Sequence, residues 1–301
     1  MILEALQWAN NKLKKTGIDS SMLDAEILLS EVLAVKKTWL FMHSSRQLRS
    51  HQEEKFVELI NRRSKREPLA YITQTKAFYL KTFHVSPDVL IPRPATETLV
   101  ELAIKELKDK DKSKTLYCDI GTGSGAIAIS IADETKVPVI ATDLHLEALS
   151  IAKQNVEKHD LKSLVDLKQG NLLIPVINMF EQIHQDPTVV TSQSFPIKHL
   201  ILCANLPYIP LRKEDTLQPE VQFEPKTALL ASENGLSLYK QLLIQTKRFR
   251  SLLPKKISLF FEIEPYQATE ISNIISKTFP SAQIDLFNDM QKNIRIARIR
   301  I

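Results

Sequence analysis

Glycine is scarce in this chain of 301 residues, with only six, at Gly17, Gly121, Gly123, Gly125, Gly170 and Gly235. Half of them fall between positions 121 and 125, so a sequence that otherwise avoids glycine concentrates it in one loop. Cysteine is scarcer still. Cys118 and Cys203 each lie inside an apolar segment and form no Cys-x-x-Cys pair, which argues against a disulfide framework and against zinc. The seven histidines are scattered without metal-ligand spacing, so no metal is expected. No apolar run approaches the ~18 residues of a membrane span. The opening Met1-Ile2-Leu3-Glu4-Ala5 has no basic segment leading into an apolar one, so a cytoplasmic chain with no membrane partner is expected.

What is present is an ordinary globular composition, 44% hydrophobic and 25% charged, in a length that suits one large domain and one smaller. The net charge of +5 admits an anionic partner without establishing one. Residues 1–73 read as a small helical bundle. Ile2, Leu6, Ala9 and Leu13 share one face before Gly17 closes the element, and Asp19 or Ser20 caps a second helix with a stripe of Leu23, Ile27, Leu28 and Val32. A short segment around Trp39 and a longer helix with Phe56, Leu59 and Ile60 complete it. At the end of that helix Arg62, Arg63, Lys65 and Arg66 form either a solvated helix terminus or a contact for an acidic protein or RNA. Residues 74–88 read as a linker or hairpin, followed by the proline-locked turn Leu90-Ile91-Pro92-Arg93-Pro94 and a helix opened by Thr96 and Glu97.

From Thr115 onward apolar strands alternate with helical patterns, the sign of an open α/β sheet. The strand Thr115–Ile120 carries Asp119 near its end and runs into Gly121-Thr122-Gly123-Ser124-Gly125, then directly into a helix from Ala126. Glycine there permits unusual φ values and lets backbone amides approach a ligand. The spacing differs from the dinucleotide fingerprint, and Asp119 would repel a pyrophosphate, so a ligand with a positively charged end is expected. A second strand ends in Asp143, placed to grip ribose hydroxyls, and a third runs to Gly170-Asn171-Leu172, where an adenine edge would lie. The apolar run 200–204 stops at Asn205-Leu206-Pro207-Tyr208, either a plain strand-to-loop turn or an active-site corner. The stretch 175–198 reads as an irregular surface insertion, a fifth strand covers 257–262, and the chain closes with an antiparallel pair.

Taken together, the acid-glycine loop, the ribose acid and Asn-x-Pro-Tyr resemble an S-adenosylmethionine-dependent methyltransferase acting on a planar nitrogen. Arg66-Glu67-Pro68-Leu69-Ala70-Tyr71-Ile72-Thr73, Leu90-Ile91-Pro92-Arg93-Pro94 with Thr96-Glu97, and Phe223-Glu224-Pro225 resemble the HemK-like peptide chain release factor glutamine methyltransferases across nearly the whole chain. Four positions depart from that family: Leu206 for proline, Gln74 for glycine, Ala95 for an acid and Asn171 for aspartate. Asn-Leu-Pro-Tyr is also the form seen in ribosomal RNA adenine dimethyltransferases.

The resemblance implies a Rossmann-like class I methyltransferase domain over 89–301, S-adenosylmethionine as cofactor with S-adenosylhomocysteine as product, and release factors as protein partners of a monomer with no stable nucleic-acid binding. It implies that Asp119, Gly121, Thr122, Gly123, Ser124, Gly125, Asp143, Asn171, Leu172 and Asn205 hold the cofactor. Asn205, with a backbone carbonyl at Leu206 or Pro207, would accept the hydrogens of the substrate amide, Tyr208 would stack on it, and Arg93 and Glu97 would shape its pocket. Two rival expectations are an adenine N6-methyltransferase on RNA or DNA and a non-catalytic protein that docks on a translation factor.

Overall fold

A computed structural model describes residues 1–108, 110–185 and 197–301. They form two compact units: Met1–Thr75 with Leu217–Phe223, and Lys76–Thr216 with Glu224–Ile301. Residues 217–223, which the sequence places inside the larger domain, pack with the helical unit.

The helical unit holds α1 (Ile2–Lys15), α2 (Ser21–Leu33), α3 (Lys37–Met42), α4 (Ser50–Ser64) and α5 (Leu69–Ile72). The stripe of α1 is buried as expected, at Ile2, Leu6, Ala9 and Leu13. In α2 the buried face is rotated from the expected one: Asp24, Ala25, Leu28 and Leu29 point inward, while Leu23 is 46% exposed. The cause is electrostatic. Arg63 of α4 donates to the buried Asp24 at 2.7 Å, so a carboxylate occupies a place that an apolar pattern assigns to leucine. Arg63 also meets Glu220 at 3.1 Å, Arg66 meets Glu220 at 2.7 Å, and Arg62 donates to Glu67 at 2.9 Å. Three of the four clustered basic residues are thus neutralised within this unit, which corrects the expectation of a solvated helix end or an external acidic contact.

The larger unit opens with a hairpin of β1 (Thr75–Phe78) and β2 (Lys81–His84), followed by α6 (Pro94–Glu106), whose first residue is the proline after Arg93. Then come β3 (Thr115–Ile120), α7 (Ala126–Thr135), β4 (Val139–Asp143), α8 (Leu146–Lys158), β5 (Val165–Gln169), α9 (Ile174–Gln185) and β6 (His199–Ala204). The short β7 (Ile209–Pro210), α10 (Lys226–Leu229) and β8 (Leu230–Ala231) precede α11 (Ser237–Arg248), β9 (Lys256–Glu262), α12 (Ala268–Thr278), β10 (Gln283–Asn288) and β11 (Ile294–Arg300). α9 corrects the irregular insertion: Val176, Ile177 and Phe180 are buried on one helical face, and the remaining part, 186–196, lies outside the described residues.

The main sheet has the order β10-β11-β9-β6-β3-β4-β5, parallel except at β11, which runs against both its neighbours. Every residue of β3 and of β6 is buried, as expected of central parallel strands covered on both faces. The chain moves outward from β3 through β4 to β5, then returns to the other side of β3 at β6. That reversal opens a crevice beyond the carboxyl ends of β3 and β6, the place where open α/β sheets bind ligands. Ile120 pairs with Ala204 across these strands, so the glycine loop and Asn205 emerge side by side.

Candidate functional site

The crevice holds a cavity of about 360 Å³ lined by the glycine loop from Gly121 to Ser124, by Asp143, Asn171 and Leu172, by Thr96, and by Asn205, Leu206 and Pro207. The backbone of the loop turns at Gly121 (φ +75) and Gly123 (φ +54), conformations that residues with a Cβ rarely adopt. The N–H groups of Gly121 and Thr122 both donate to the carbonyl of Thr142 at 2.9 Å, which pins the loop to the end of β4. A Cβ at Gly121 would stand 2.9 Å from Leu206 Cδ2, so the loop and the corner after β6 are packed against each other.

Asp119 is fully buried beneath the loop and is not among the residues lining the cavity. Its Oδ2 accepts the Thr122 hydroxyl at 2.6 Å and the Ala128 N–H at 3.2 Å, and its Oδ1 has no partner among the described residues. Burial pushes its pKa up to about 7 in spite of those hydrogen bonds. Asp143 does line the cavity. Its Oδ2 accepts the Gly123 N–H at 2.9 Å and its Oδ1 the His145 N–H at 3.0 Å, so the carboxylate is aimed by the backbone on either side of it.

Gly125 caps α7 behind the loop, with φ +81. Asn155 of α8, fully buried, donates to the carbonyls of Ser124 at 2.8 Å and His84 at 2.9 Å and ties the loop to the hairpin. Sequence reasoning missed this residue, because nothing in its helical surroundings distinguishes a buried asparagine from an exposed one.

At the corner, Asn205 Nδ2 donates to Thr96 Oγ1 at 3.1 Å. The Leu206 N–H donates to the Tyr239 hydroxyl at 3.2 Å, a bond that proline at this position could not make, and the Tyr239 hydroxyl donates to the carbonyl of Glu262. The Tyr208 hydroxyl donates to Glu262 Oε1 at 3.3 Å, while its own carbonyl accepts Gln267 Nε2 at 2.9 Å. Burial raises the Tyr208 pKa, so the hydroxyl stays protonated and remains a donor.

Arg93 and Glu97 lie beside the cavity rather than on its lining. Arg93 pairs with Glu224, a buried carboxylate that also accepts the Ile91 N–H at 3.1 Å, so Glu224 fixes the proline-rich turn from both ends. Glu97 accepts the Tyr79 N–H at 3.0 Å. Glu262, the fully buried last residue of β9, also escaped sequence reasoning. The signal was nevertheless present, since β9 closes on an acid just as β4 closes on Asp143.

Residues 4–73 match the family described as the PrmC N-terminal domain, and residues 111–193 match the one described as a methyltransferase domain. A release factor glutamine methyltransferase of Bacillus cereus is 33% identical over 298 residues, which cover 98% of this chain and 97% of the relative. One of Dictyoglomus turgidum is 32% identical over 300 residues, covering 98% and 97%. Among solved structures, the catalytic domain of hMettl16 in complex with MAT2A 3'UTR hairpin 1 matches with a TM-score of 0.51 at 14% identity, over 83% of this chain and 80% of the other, a likeness of fold alone.

Proposed function

Because this chain belongs to the release factor glutamine methyltransferase family, we propose that it transfers a methyl group from S-adenosylmethionine to the side-chain amide nitrogen of the glutamine in the Gly-Gly-Gln motif of peptide chain release factors. The observation that carries this reading is the Asn205–Thr96 hydrogen bond at the cavity wall. With Nδ2 committed to Thr96, Oδ1 is the atom Asn205 can offer a donor in the cavity. An amide substrate presents two N–H donors, and an acceptor at Asn205 turns its nitrogen toward the reacting centre. The amide lone pair is delocalised, so orientation is what this chemistry needs most.

The residues present fit the cofactor. The Cβ position of Gly123 has no atom within 4 Å, leaving open space above a backbone turn that a larger residue would fill. Asp143 would hold the ribose hydroxyls, Asn171 and Leu172 the adenine edge, and the loop from Gly121 to Ser124 the methionine end. Asp119 would act from below, holding the loop through Thr122 and Ala128 rather than touching the cofactor. Bound S-adenosylmethionine supplies an electrophilic methyl group on a sulfonium. Transfer would break the methyl–sulfonium C–S bond, its electron pair staying on the sulfur of S-adenosylhomocysteine, as the amide nitrogen forms the C–N bond and gives up one proton to solvent. Leu206 or Pro207 would offer a second, backbone acceptor, and the Tyr208 ring, anchored through its hydroxyl at Glu262, would flank the planar substrate.

We assign residues 1–73 to recognition of the release factor, in a cytoplasmic setting where that partner is found. Incubation with labelled S-adenosylmethionine, a release factor and total RNA tests the reading. Label entering the release factor is expected. Label entering RNA instead would favour an adenine acceptor, and no transfer at all would favour a binding protein.

A further inference from the structure

The Asn205 side chain can orient a substrate amide only if its own amide is held one way round, since rotation by half a turn exchanges donor and acceptor. Thr96 by itself does not settle this, because a hydroxyl can donate or accept. The polarity must come from a group that can only accept. Glu262 stands there: its fully buried carboxylate faces the Thr96 hydroxyl, and the Tyr208 hydroxyl reaches Oε1 at 3.3 Å. We propose that Glu262 is a positioning residue for transfer, which, as an ionised carboxylate, compels Thr96 to donate to it and so to accept from Asn205, leaving Asn205 Oδ1 for the substrate. The same carboxylate holds Tyr208, so one buried acid sets both side chains of the corner. This inference rests on the amide-transfer reading given above.

The surroundings of Glu262 are those of a group kept for orientation rather than for stability. It is fully buried at the end of β9, and its Oε2 lacks a partner of full hydrogen-bonding geometry among the described residues. Leaving a buried acceptor unsatisfied is costly, and such groups concentrate at functional positions. Burial pushes its pKa up to about 7, against the Thr96 hydroxyl, the Arg295 charge and the Tyr208 hydroxyl, with Glu264 adding to the rise. The groups facing it are therefore Thr96 on α6, Tyr208 beyond β6, Tyr239 on α11 near its backbone carbonyl, Glu264 beyond β9 and Arg295 on β11. Below that pH the protonated carboxyl can donate to Thr96, whose hydroxyl is then free to turn to Asn205 Oδ1. The ionised fraction, and with it the oriented fraction, falls about tenfold per pH unit on that side.

The test compares wild type with Thr96→Val, Thr96→Ser and Glu262→Gln in methyl transfer to a release factor, alongside calorimetric S-adenosylmethionine binding, thermal unfolding, and NMR of the Asn205 side-chain amide in the protein without substrate. Thr96→Val should lower kcat about tenfold to a hundredfold with cofactor affinity unchanged, and Thr96→Ser should restore it. Glu262→Gln should lower kcat, abolish the fall of wild-type kcat below pH 7 and the matching titration of the Asn205 amide resonances, and hold or raise the melting temperature. Wild-type kcat in Thr96→Val, or an Asn205 resonance whose titration survives in Glu262→Gln, overturns the proposal. So does a parallel loss of kcat, cofactor affinity and melting temperature in Glu262→Gln, which would mark a merely structural residue. If wild type transfers no methyl group to the release factor, the functional reading fails instead, and the NMR titration still decides whether Glu262 governs Asn205.

Discussion

A methyl group added at Gly235 would stand 1.8 Å from the Tyr208 carbonyl oxygen, well inside van der Waals contact, on a residue whose φ is +85. Neither the backbone at Tyr208 nor the turn at Gly235 can move without disturbing the Gln267 amide that bonds to Tyr208 and to Asn234. Gly235→Ala should therefore destabilise the protein by roughly 2–4 kcal/mol, the range of strained and overpacked substitutions. Urea unfolding reads this directly, and a change below about 0.5 kcal/mol would mean that the corner is looser than its contacts imply. Asn205→Ala is the opposite kind of change, since it removes a functional group without disturbing packing. Loss of one orienting acceptor should lower kcat about a hundredfold or more while cofactor affinity falls only modestly, and unchanged turnover would remove Asn205 from its role. The glycine loop, Asp143 and Asn205 were legible in the sequence because each ends a strand or interrupts a helix with a residue type that local packing does not need. That Thr96 and Glu262 face each other was not, since 166 positions separate them and only the fold brings them together.

Elements carry a second kind of information. At the amino-terminal edge of the sheet, away from the cavity, Glu106 at the end of α6 accepts Arg300 Nη2 at 2.9 Å, Lys110 Nζ at 2.6 Å and the Ser258 hydroxyl at 3.0 Å. Burial pushes this carboxyl up, but the hydrogen bonds from Arg300, Lys110 and Ser258 outweigh it and bring its pKa down to about 2 from 4.5. Because the folded value is the lower one, the stabilisation is fully present above the unfolded pKa and is lost as the pH falls from about 4.5 toward 2. Its size is roughly 3 kcal/mol. Glu106→Gln should lower the urea midpoint markedly at pH 7, and the gap to wild type should narrow steadily as the pH falls from about 4.5 toward 2; a gap that stays constant with pH would contradict the assignment. This cluster also explains why helix faces were harder to read than strands. In α2 the buried Asp24 answers to Arg63 of α4, and in α9 the inward residues Val176, Ile177 and Phe180 were hidden by the polar stretch that follows them. A strand buried on both faces shows itself as an apolar run, whereas a helix face that includes an ion pair does not.

Across the whole chain, the reversal of strand order at β3 and β6 brings together residues from five separate stretches of sequence: Thr96, the loop from Gly121, Asp143, Asn171 and the corner from Asn205. The departure at Leu206 also acts at this scale. Its N–H binds the Tyr239 hydroxyl and its side chain lies against Gly121, so the residue that departs from the family pattern fastens the acceptor corner to α11 and to the glycine loop at once. The activity that this assembly supports is methylation of an amide nitrogen. Tandem mass spectrometry of a release factor incubated with the protein and S-adenosylmethionine tests it most directly. One added methyl group is expected, localised to the glutamine of the Gly-Gly-Gln motif and absent with Asn205→Ala; an unmodified glutamine, or a methyl group on any other residue, would contradict amide methylation.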